Sequence, residues 1–181
     1  MIAKKKGKKR EVREAMQDLA VFSIFAGMNA DQINEAKKRL QTKSYQQGEV
    51  IWRENEPGDD VGLLLKGEVD ITHRLTLLSS QSGLASGDKA LIHLTADQHP
   101  VIGEIALCAN TPRSASLTAT TEVLLGILKR SDVEEVANAD PAFGVAFYRN
   151  LSAIIARRLI ETNANVMKLT TAFSLALEQE G

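Results

Sequence analysis

Apolar and polar residues alternate in short segments through the middle of the chain, between Thr42 and Leu128, and glycines separate the segments. A period of two is typical of β-strands that bury one face. The pattern predicts eight strands, at 42–46, 49–53, 61–66, 68–74, 89–95, 101–103, 115–120 and 123–129. Eight short strands with regular turns favour a jelly-roll or β-roll barrel.

Turn-forming residues lie between these segments. The run Glu56-Pro57-Gly58-Asp59 predicts a tight reversal, and Lys66-Gly67 predicts a hairpin turn. Residues 79–88 are rich in serine and glycine and are expected to form a flexible loop.

Helical spacing flanks the β-rich segment on both sides. Apolar residues predict a helix from about Glu11 to Ala20, and Asn29 with Gln32 forms a capping box that opens a second helix to about Leu40. After the strands, a second capping box is read at Ser131 and Glu134, and Asp140-Pro141 is suited to start a helix that runs to about Glu178. The chain therefore predicts an α+β fold with four segments: a tail (1–10), N-terminal helices (11–41), a barrel (42–130) and a C-terminal hinge and helix (131–181).

The last helix carries a seam of residues at alternating steps of four and three, which is a heptad pattern. Its members are Tyr148, Ser152, Ile155, Leu159, Thr162, Val166, Leu169, Phe173 and Ala176. The first turns of the seam are expected to pack on the barrel. Beyond Leu159 a small barrel is too short to cover it, so we expect a homodimer through this helix, the alternative being a helix folded back on its own barrel.

Composition and charge narrow the class of protein. The chain has 181 residues, 44% of them hydrophobic and 25% charged, as in an ordinary globular protein. Residues 4–10 hold six positive charges, which leaves about −7 on the remainder of a chain with net charge −1. The single cysteine, Cys108, excludes an internal disulfide, and no apolar run reaches the roughly twenty residues that span a bilayer. We expect a cytoplasmic protein with a basic, flexible tail.

The segment from Ile102 to Ala119 holds the candidate chemistry. Gly103 permits a close backbone approach, and the amides that follow it, through Ile105 and Ala106, can face an anion. Arg113 offers a planar fork of donors for a phosphate, and Ser114 and Ala115 add a hydroxyl and an amide without bulk.

An ionised glutamate in the same segment, Glu104, only accepts hydrogen bonds and so suits a sugar hydroxyl. The alternative is a surface salt bridge between Glu104 and Arg113. The small residues around both charges argue against that alternative, because a plain surface pair does not need them.

This segment resembles the phosphate-binding cassette of cyclic nucleotide-binding domains of the catabolite activator and protein kinase A regulatory subunit type. The Gly-Glu pair, the apolar turn and the Arg-small-Ala run occur in the family's order. Residues 45–71, YQQGEVIWRENEPGDDVGLLLKGEVDI, also resemble its barrel signature through Gly48, Gly58, Asp59 and Gly67. The resemblance covers roughly residues 22 to 165. The chain departs from the pattern at Gly62, where an aromatic is common, and in a longer segment from about 75 to 88.

The resemblance implies a role for each residue of the segment. Glu104 would receive the ribose 2′-hydroxyl, and Arg113 with Ser114 and Ala115 would hold the cyclic phosphate. Backbone amides from Gly103 to Ala106 would assist.

The C-terminal helix has its own point of resemblance. The segment ARRLIETN, residues 156–163, is similar to the long helix of the catabolite activator, in which a threonine contacts the adenine ring. Thr162 and Asn163 would then contact the purine, from the same protomer or the opposite one. The alternative is that Thr162 only adjusts packing and register in the seam. The residues after this helix leave no room for a helix-turn-helix, so we expect a domain without DNA-binding activity.

The leading hypothesis is a cyclic nucleotide receptor that signals to an unidentified effector by closure of the C-terminal helix or by dimer rearrangement. We expect cAMP as the ligand, with cGMP as the alternative, and we expect no metal, no cofactor and no catalytic residue. A degenerate barrel that serves only in dimerisation is a second hypothesis. A cupin-type metal enzyme is a third, and its only histidine ligands would be His73, His93 and His99.

Overall fold

Two four-stranded antiparallel sheets form a β-roll in the computed structural model, which describes residues 16–74 and 88–179 together with residues 12 and 14. The strands are β1 (Gln41–Tyr45), β2 (Val50–Trp52), β3 (Asp60–Lys66), β4 (Glu68–Arg74), β5 (Asp88–Thr95), β6 (Val101–Ile102), β7 (Ser116–Ala119) and β8 (Val123–Lys129). The order of strands is β1-β8-β3-β6 in one sheet and β2-β7-β4-β5 in the other. The predicted α+β barrel is confirmed, and each strand end lies within one residue of its predicted position.

The two sheets enclose an apolar core. The inward residues of the facing strands include Leu64, Val69, Leu117 and Leu125, all buried. A second cluster, which includes Phe22, Phe25, Phe143 and Phe147, joins the helices to the outer side of the barrel. The barrel and the helices are therefore packed together through continuous apolar contact.

The turn predicted at Glu56–Asp59 is wrong. The chain reverses at Glu54 and Asn55 instead, where Asn55 has φ +68°, a conformation that asparagine tolerates better than most residues. The residues of the reversal are held beside the segment that precedes β7, because the Asn55 amide donates to the Arg113 carbonyl (2.9 Å) and the Arg113 amide donates to the Glu56 carbonyl (2.8 Å). The Lys66-Gly67 hairpin is confirmed, with Gly67 at φ +87°.

The predicted helix from about Glu11 to Ala20 is wrong at its C-terminal end. Residues 12 and 14 are helical, but the chain then forms two single-turn 3₁₀ helices, Leu19–Val21 and Ser23–Phe25. Leu19, Phe22 and Phe25 are all buried and lie three residues apart. Phe22 is extended and separates the two turns, and Ile24 of the second turn is buried as well, so this segment packs apolar side chains into the core without one continuous helix. The predicted tail 1–10 and most of the predicted loop 79–88 lie outside the described residues.

Helix α1 (Ala30–Arg39) begins as predicted. Its capping box is formed in both directions, with the Gln32 amide 2.9 Å from Asn29 Oδ1 and the Asn29 amide 3.2 Å from Gln32 Oε1. A short helix, α2 (Glu104–Ala109), follows β6.

The capping box predicted at Ser131 and Glu134 is wrong. Helix α3 (Arg130–Ala139) starts two residues earlier than a cap at Ser131 implies, with Lys129 as its N-cap and no side-chain cap. The start is fixed by Arg130, whose amide donates to the Asp59 carbonyl (2.7 Å) and whose Nη2 donates to the Ala106 carbonyl (2.7 Å).

Helix α4 (Pro141–Gln179) has 39 residues, about 58 Å of helix. It starts at the predicted cap, since Asp140 Oδ1 accepts from the Ala142 amide at 3.0 Å. Its first turns bury Phe143, Phe147 and Leu151, but every residue from Leu159 to Leu177 is exposed. None of the described helices is long and apolar enough to cross a membrane.

Candidate functional site

Gly103 starts the site at the end of β6. Its φ of +87° lies in the left-handed region, and it is the N-cap of α2. A Cβ at this position would lie 2.5 Å from Arg113 Nη1 and 3.1 Å from the Asp60 carbonyl oxygen. Glycine is therefore required here both for the backbone conformation and for the approach of the arginine.

Arg113 is held in a fixed position in the wall beside this glycine. It is 5% exposed, Nη1 donates to the Asp60 carbonyl at 2.9 Å, and Nη2 donates to Asp60 Oδ1 at 2.5 Å. The guanidinium stacks on the Trp52 ring at 3.9 Å from the ring centroid, a favourable cation–π contact. Nε is buried without a hydrogen-bond partner among the described residues. The result is an ordered planar cation that still has unused N–H donors.

Glu104 links the barrel to α4. It is 3% exposed, and its Oε1 lies 2.6 Å from Arg158 Nη1, while Arg158 Nη2 donates to the Val101 carbonyl at 2.7 Å. The surface salt bridge considered between Glu104 and Arg113 is therefore not formed. Both residues are buried, and each is paired with a different partner.

These groups surround one cavity of about 370 Å³ between the sheets, α2 and α4. Among its walls are Gly103, Glu104, Ile105, Ala106, Arg113, Ser114, Ala115 and Thr162, that is, eight of the nine residues singled out in the sequence. Asn163 lies outside the cavity of its own chain, because one step along a helix turns a side chain by about 100°. The volume lies within the range of about 300–1,000 Å³ that small-molecule sites occupy.

Apolar side chains form a further part of the cavity wall. They are Ile71 on β4, Ile92 and Leu94 on β5, Ile102 on β6 and Leu117 on β7. A flat, largely apolar ring can lie against such side chains while the polar groups of the cavity hold charged or hydroxylated parts. The cavity thus offers both apolar and polar contacts to one ligand.

The three histidines that a cupin-type metal site would use as ligands lie in different places in the structure. His73 lines the cavity, His93 lies on the outer side of β5 with its Nδ1 2.7 Å from Asp70 Oδ1, and the His99 ring contacts Phe22. The hydrogen bond that His93 makes to the Asp70 carboxylate raises the pKa of His93. In the described part of the chain, no group of three or more His, Cys, Asp or Glu residues is placed to hold a metal ion.

Comparison with known proteins decides the family. The model of the cyclic nucleotide-binding domain matches residues 42–140, more than half of the chain and all of the barrel. The chain belongs to the cyclic nucleotide-binding domain family. The matched segment contains Gly103, Glu104 and Arg113, and it ends before α4.

Proteins similar in sequence to this chain include a transcriptional regulator and a regulatory subunit of a protein kinase. The CRP-like cAMP-activated global transcriptional regulator of Mycobacterium tuberculosis is 27% identical over 151 residues, which are 83% of this chain and 61% of the regulator. The cAMP-dependent protein kinase regulatory subunit of Dictyostelium discoideum is 33% identical over 82 residues, 44% of this chain and 22% of that protein. The catabolite activator protein of Thermus thermophilus superposes with a TM-score of 0.68 at 24% identity, over 82% of this chain and 63% of that one. The chain thus spans about three fifths of the length of the Mycobacterium tuberculosis regulator and of the Thermus thermophilus catabolite activator protein.

Sequence reasoning missed several residues of this cyclic nucleotide-binding domain site. They are Trp52, Asp60, His73, Arg158, Glu161 and Asn165. Arg158, Glu161 and Asn165 lie at helical spacing with Thr162, so a projection of α4 from Thr162 could have found them. Asp60 and Trp52 meet Arg113 only through the pairing of distant strands, which no local pattern reports.

Proposed function

We propose that the protein is a cytoplasmic receptor for a cyclic nucleotide and that cAMP is its preferred ligand. The observation that carries the proposal is the convergence on one cavity of a buried, fixed arginine, a glycine-led turn of free amides and a buried carboxylate.

The cassette end of the cavity suits the cyclic phosphate. The first amides of α2 follow its N-cap Gly103 and have no partner within the helix, and N–H groups at such a start favour an anion. Arg113 lines the same cavity with its Nη1 beside Gly103, and Ser114 and Ala115 line it as well. Because Asp60 and Trp52 already order Arg113, little conformational entropy would be lost when an anion binds.

The sugar would contact Glu104. A carboxylate accepts two or more hydrogen bonds, so Glu104 can receive a ribose hydroxyl beside its bond to Arg158 or in exchange for it. The purine would lie along the apolar wall, with Thr162 of α4 above it. Each part of the ligand thus has a matching part of the cavity.

The proposed output is a change at α4, either closure of the helix over the ligand or rearrangement of a homodimer. A ligand that contacts both Glu104 and Thr162 binds the arrangement of α4 that presents both groups, and it favours that arrangement by the difference in affinity. The exposed seam from Leu159 onward would then be the surface of the dimer, and an effector protein would read its geometry. We propose no catalytic role.

The preference for cAMP rests on Thr162 and on relatives whose names specify cAMP activation or dependence. A degenerate barrel that binds no nucleotide is the competing hypothesis. The intact pairs of Glu104 with Arg158 and of Arg113 with Asp60 favour a working site.

A ligand-and-residue cycle tests the proposal. The wild type and Glu104→Gln are titrated with cAMP and with 2′-deoxy-cAMP. The wild type should prefer cAMP over 2′-deoxy-cAMP by about tenfold or more, and Glu104→Gln should lose most of this preference. The reason is that the missing hydroxyl and the missing carboxylate charge each remove the same charge-assisted hydrogen bond. An equal preference in both proteins would place the ribose elsewhere, and a wild type that binds neither ligand would favour the degenerate barrel.

A further inference from the structure

His73 stands in the wall of the cavity, and neither the family pattern nor the roles proposed above assign it a function. It lies on β4 two residues after Ile71 and four after Val69, and both of these pack into the core between the sheets. Alternate residues of a strand share a face, so His73 is on the inner face. Asp70 lies on the opposite, outer face with His93.

His73 lies at the phosphate end of the cavity. Its neighbour Thr72 is paired with Ser116 in the antiparallel register of β4 and β7. Ser114 and Ala115 come just before that pair, and they line the same cavity as His73. The imidazole is therefore close to the residues that would hold the phosphate.

A carboxylate contacts the other side of the imidazole. His73 Nδ1 lies 3.5 Å from Glu54 Oε1, and Glu54 does not line the cavity. With Nδ1–H directed to Glu54, a protonated His73 would present a positive charge to an anion in the cavity.

The other charges around the cavity leave an anion poorly compensated. Arg113 is paired with Asp60, and Arg158 is paired with Glu104, while Glu161 adds a further negative charge. The charged groups that contact His73 or line the cavity with it are Glu54 (β2–β3 loop), Arg113 (before β7), Glu104 (α2), and Arg158 and Glu161 (α4). Both arginines of this set are paired with a carboxylate, so a proton on His73 changes the balance of charge at the site.

We propose that His73 is a proton-dependent cation of the phosphate subsite and that nucleotide binding is coupled to its protonation. The inference rests on the proposed function, since it needs a phosphate in the cassette. Imidazole is the side chain that ordinarily changes charge between pH 5 and 8. An anion that prefers protonated His73 binds more tightly at low pH, and by linkage its binding takes up protons from solution.

The test is calorimetric titration with cAMP at pH 5.5, 6.5, 7.5 and 8.5, in buffers of different ionisation enthalpy. The phosphodiester of cAMP stays a monoanion over this range, so the ligand does not add to the pH dependence. The wild type should bind about tenfold more tightly at pH 5.5 than at pH 8.5 and take up protons when it binds the nucleotide. His73→Gln should keep a single, weak affinity with no proton uptake, and His73→Lys should bind tightly across the range.

His93→Gln is the matched control, because it removes the histidine on the outer face of the same strand pair, away from the cavity. It should keep the wild-type pH dependence. Equal pH dependence in the wild type and His73→Gln, or a wild type without proton uptake, would overturn the inference and leave the receptor in place. Absence of binding at every pH would instead reject the proposed function itself. If His73→Gln does not fold, proton uptake by the wild type and the behaviour of His73→Lys decide the question.

Discussion

Glu104 in the barrel and Arg158 on the long helix form an ion pair at the wall of the cavity, with Nη1 2.6 Å from Oε1. The carboxylate is almost fully buried, and the guanidinium is about one third exposed. Arg158 also bonds the Val101 carbonyl, next to the cassette. A group proposed to bind the ligand is thus in direct contact with the element proposed to carry the signal.

Arg158→Ala should weaken cAMP binding by roughly 10- to 100-fold. It removes two hydrogen bonds, one of them between charged groups, and leaves Glu104 buried without its cation. Arg157→Ala is the control, since Arg157 is the exposed preceding residue of the same helix and carries the same charge. Affinity can be measured by calorimetry. Equal affinities for the two variants would show that the ion pair has no part in binding.

Gly103→Ala should destabilise the fold and abolish binding. The left-handed conformation costs an alanine about 1–2 kcal/mol, and its Cβ would collide with Arg113 Nη1 at 2.5 Å. Gly48→Ala measures the cost of the left-handed backbone without the collision, because Gly48 has φ +83° and no atom within 4 Å of its Cβ position. Thermal unfolding should show a clearly larger loss for Gly103→Ala, and Gly48→Ala should still bind cAMP. Similar losses of stability would mean that Arg113 is not held against Gly103.

Residues on α4 should set the preference between cAMP and cGMP. Thr162 and Asn165 line the cavity of their own chain, and Asn163 does not. Thr162→Ala and Asn165→Ala should therefore change the ratio of the two affinities, while Asn163→Ala should change it only if a partner protomer contributes to the site. An unchanged ratio for Thr162→Ala would make Thr162 a packing residue of the seam.

The seam should make the protein a dimer. Leu169 and Phe173 lie on it and are 71% and 66% exposed in the single chain, which is unusual for large apolar side chains. In sedimentation velocity, the wild type should associate as its concentration rises, and the double variant Leu169→Lys, Phe173→Lys should stay monomeric. A wild type that is monomeric at every concentration would contradict the prediction.

The strands and most of the cassette could be predicted from sequence because the information is local. Alternation of apolar residues sets the strands, and glycine with its neighbours sets turns such as the one at Gly67. The capping box at Asn29 and the cap at Asp140 also depend on residues two or three positions apart, and both were predicted correctly.

The wrong start of α3 and the missed partners of Arg113 and Glu104 both depend on contacts between residues that are far apart in the sequence. Helix α3 begins at Arg130 because that residue bonds Asp59 and Ala106, far away in sequence, and so the local motif at Ser131 misplaced the start. The partners of Arg113 and Glu104 were missed for the same reason. Asp60 lies 53 positions before Arg113, and only the pairing of the strands brings them together.

Calorimetric titration of nucleotide-free protein with cAMP, and then with cGMP, tests the central claim most directly. We expect saturable binding of cAMP with a dissociation constant of about 1 μM or tighter, about −8 kcal/mol, and weaker binding of cGMP. Arg113→Lys, which keeps the charge but loses the planar fork, should bind at least tenfold more weakly. A protein that gives no heat with either nucleotide and no rise in its melting temperature would contradict the account.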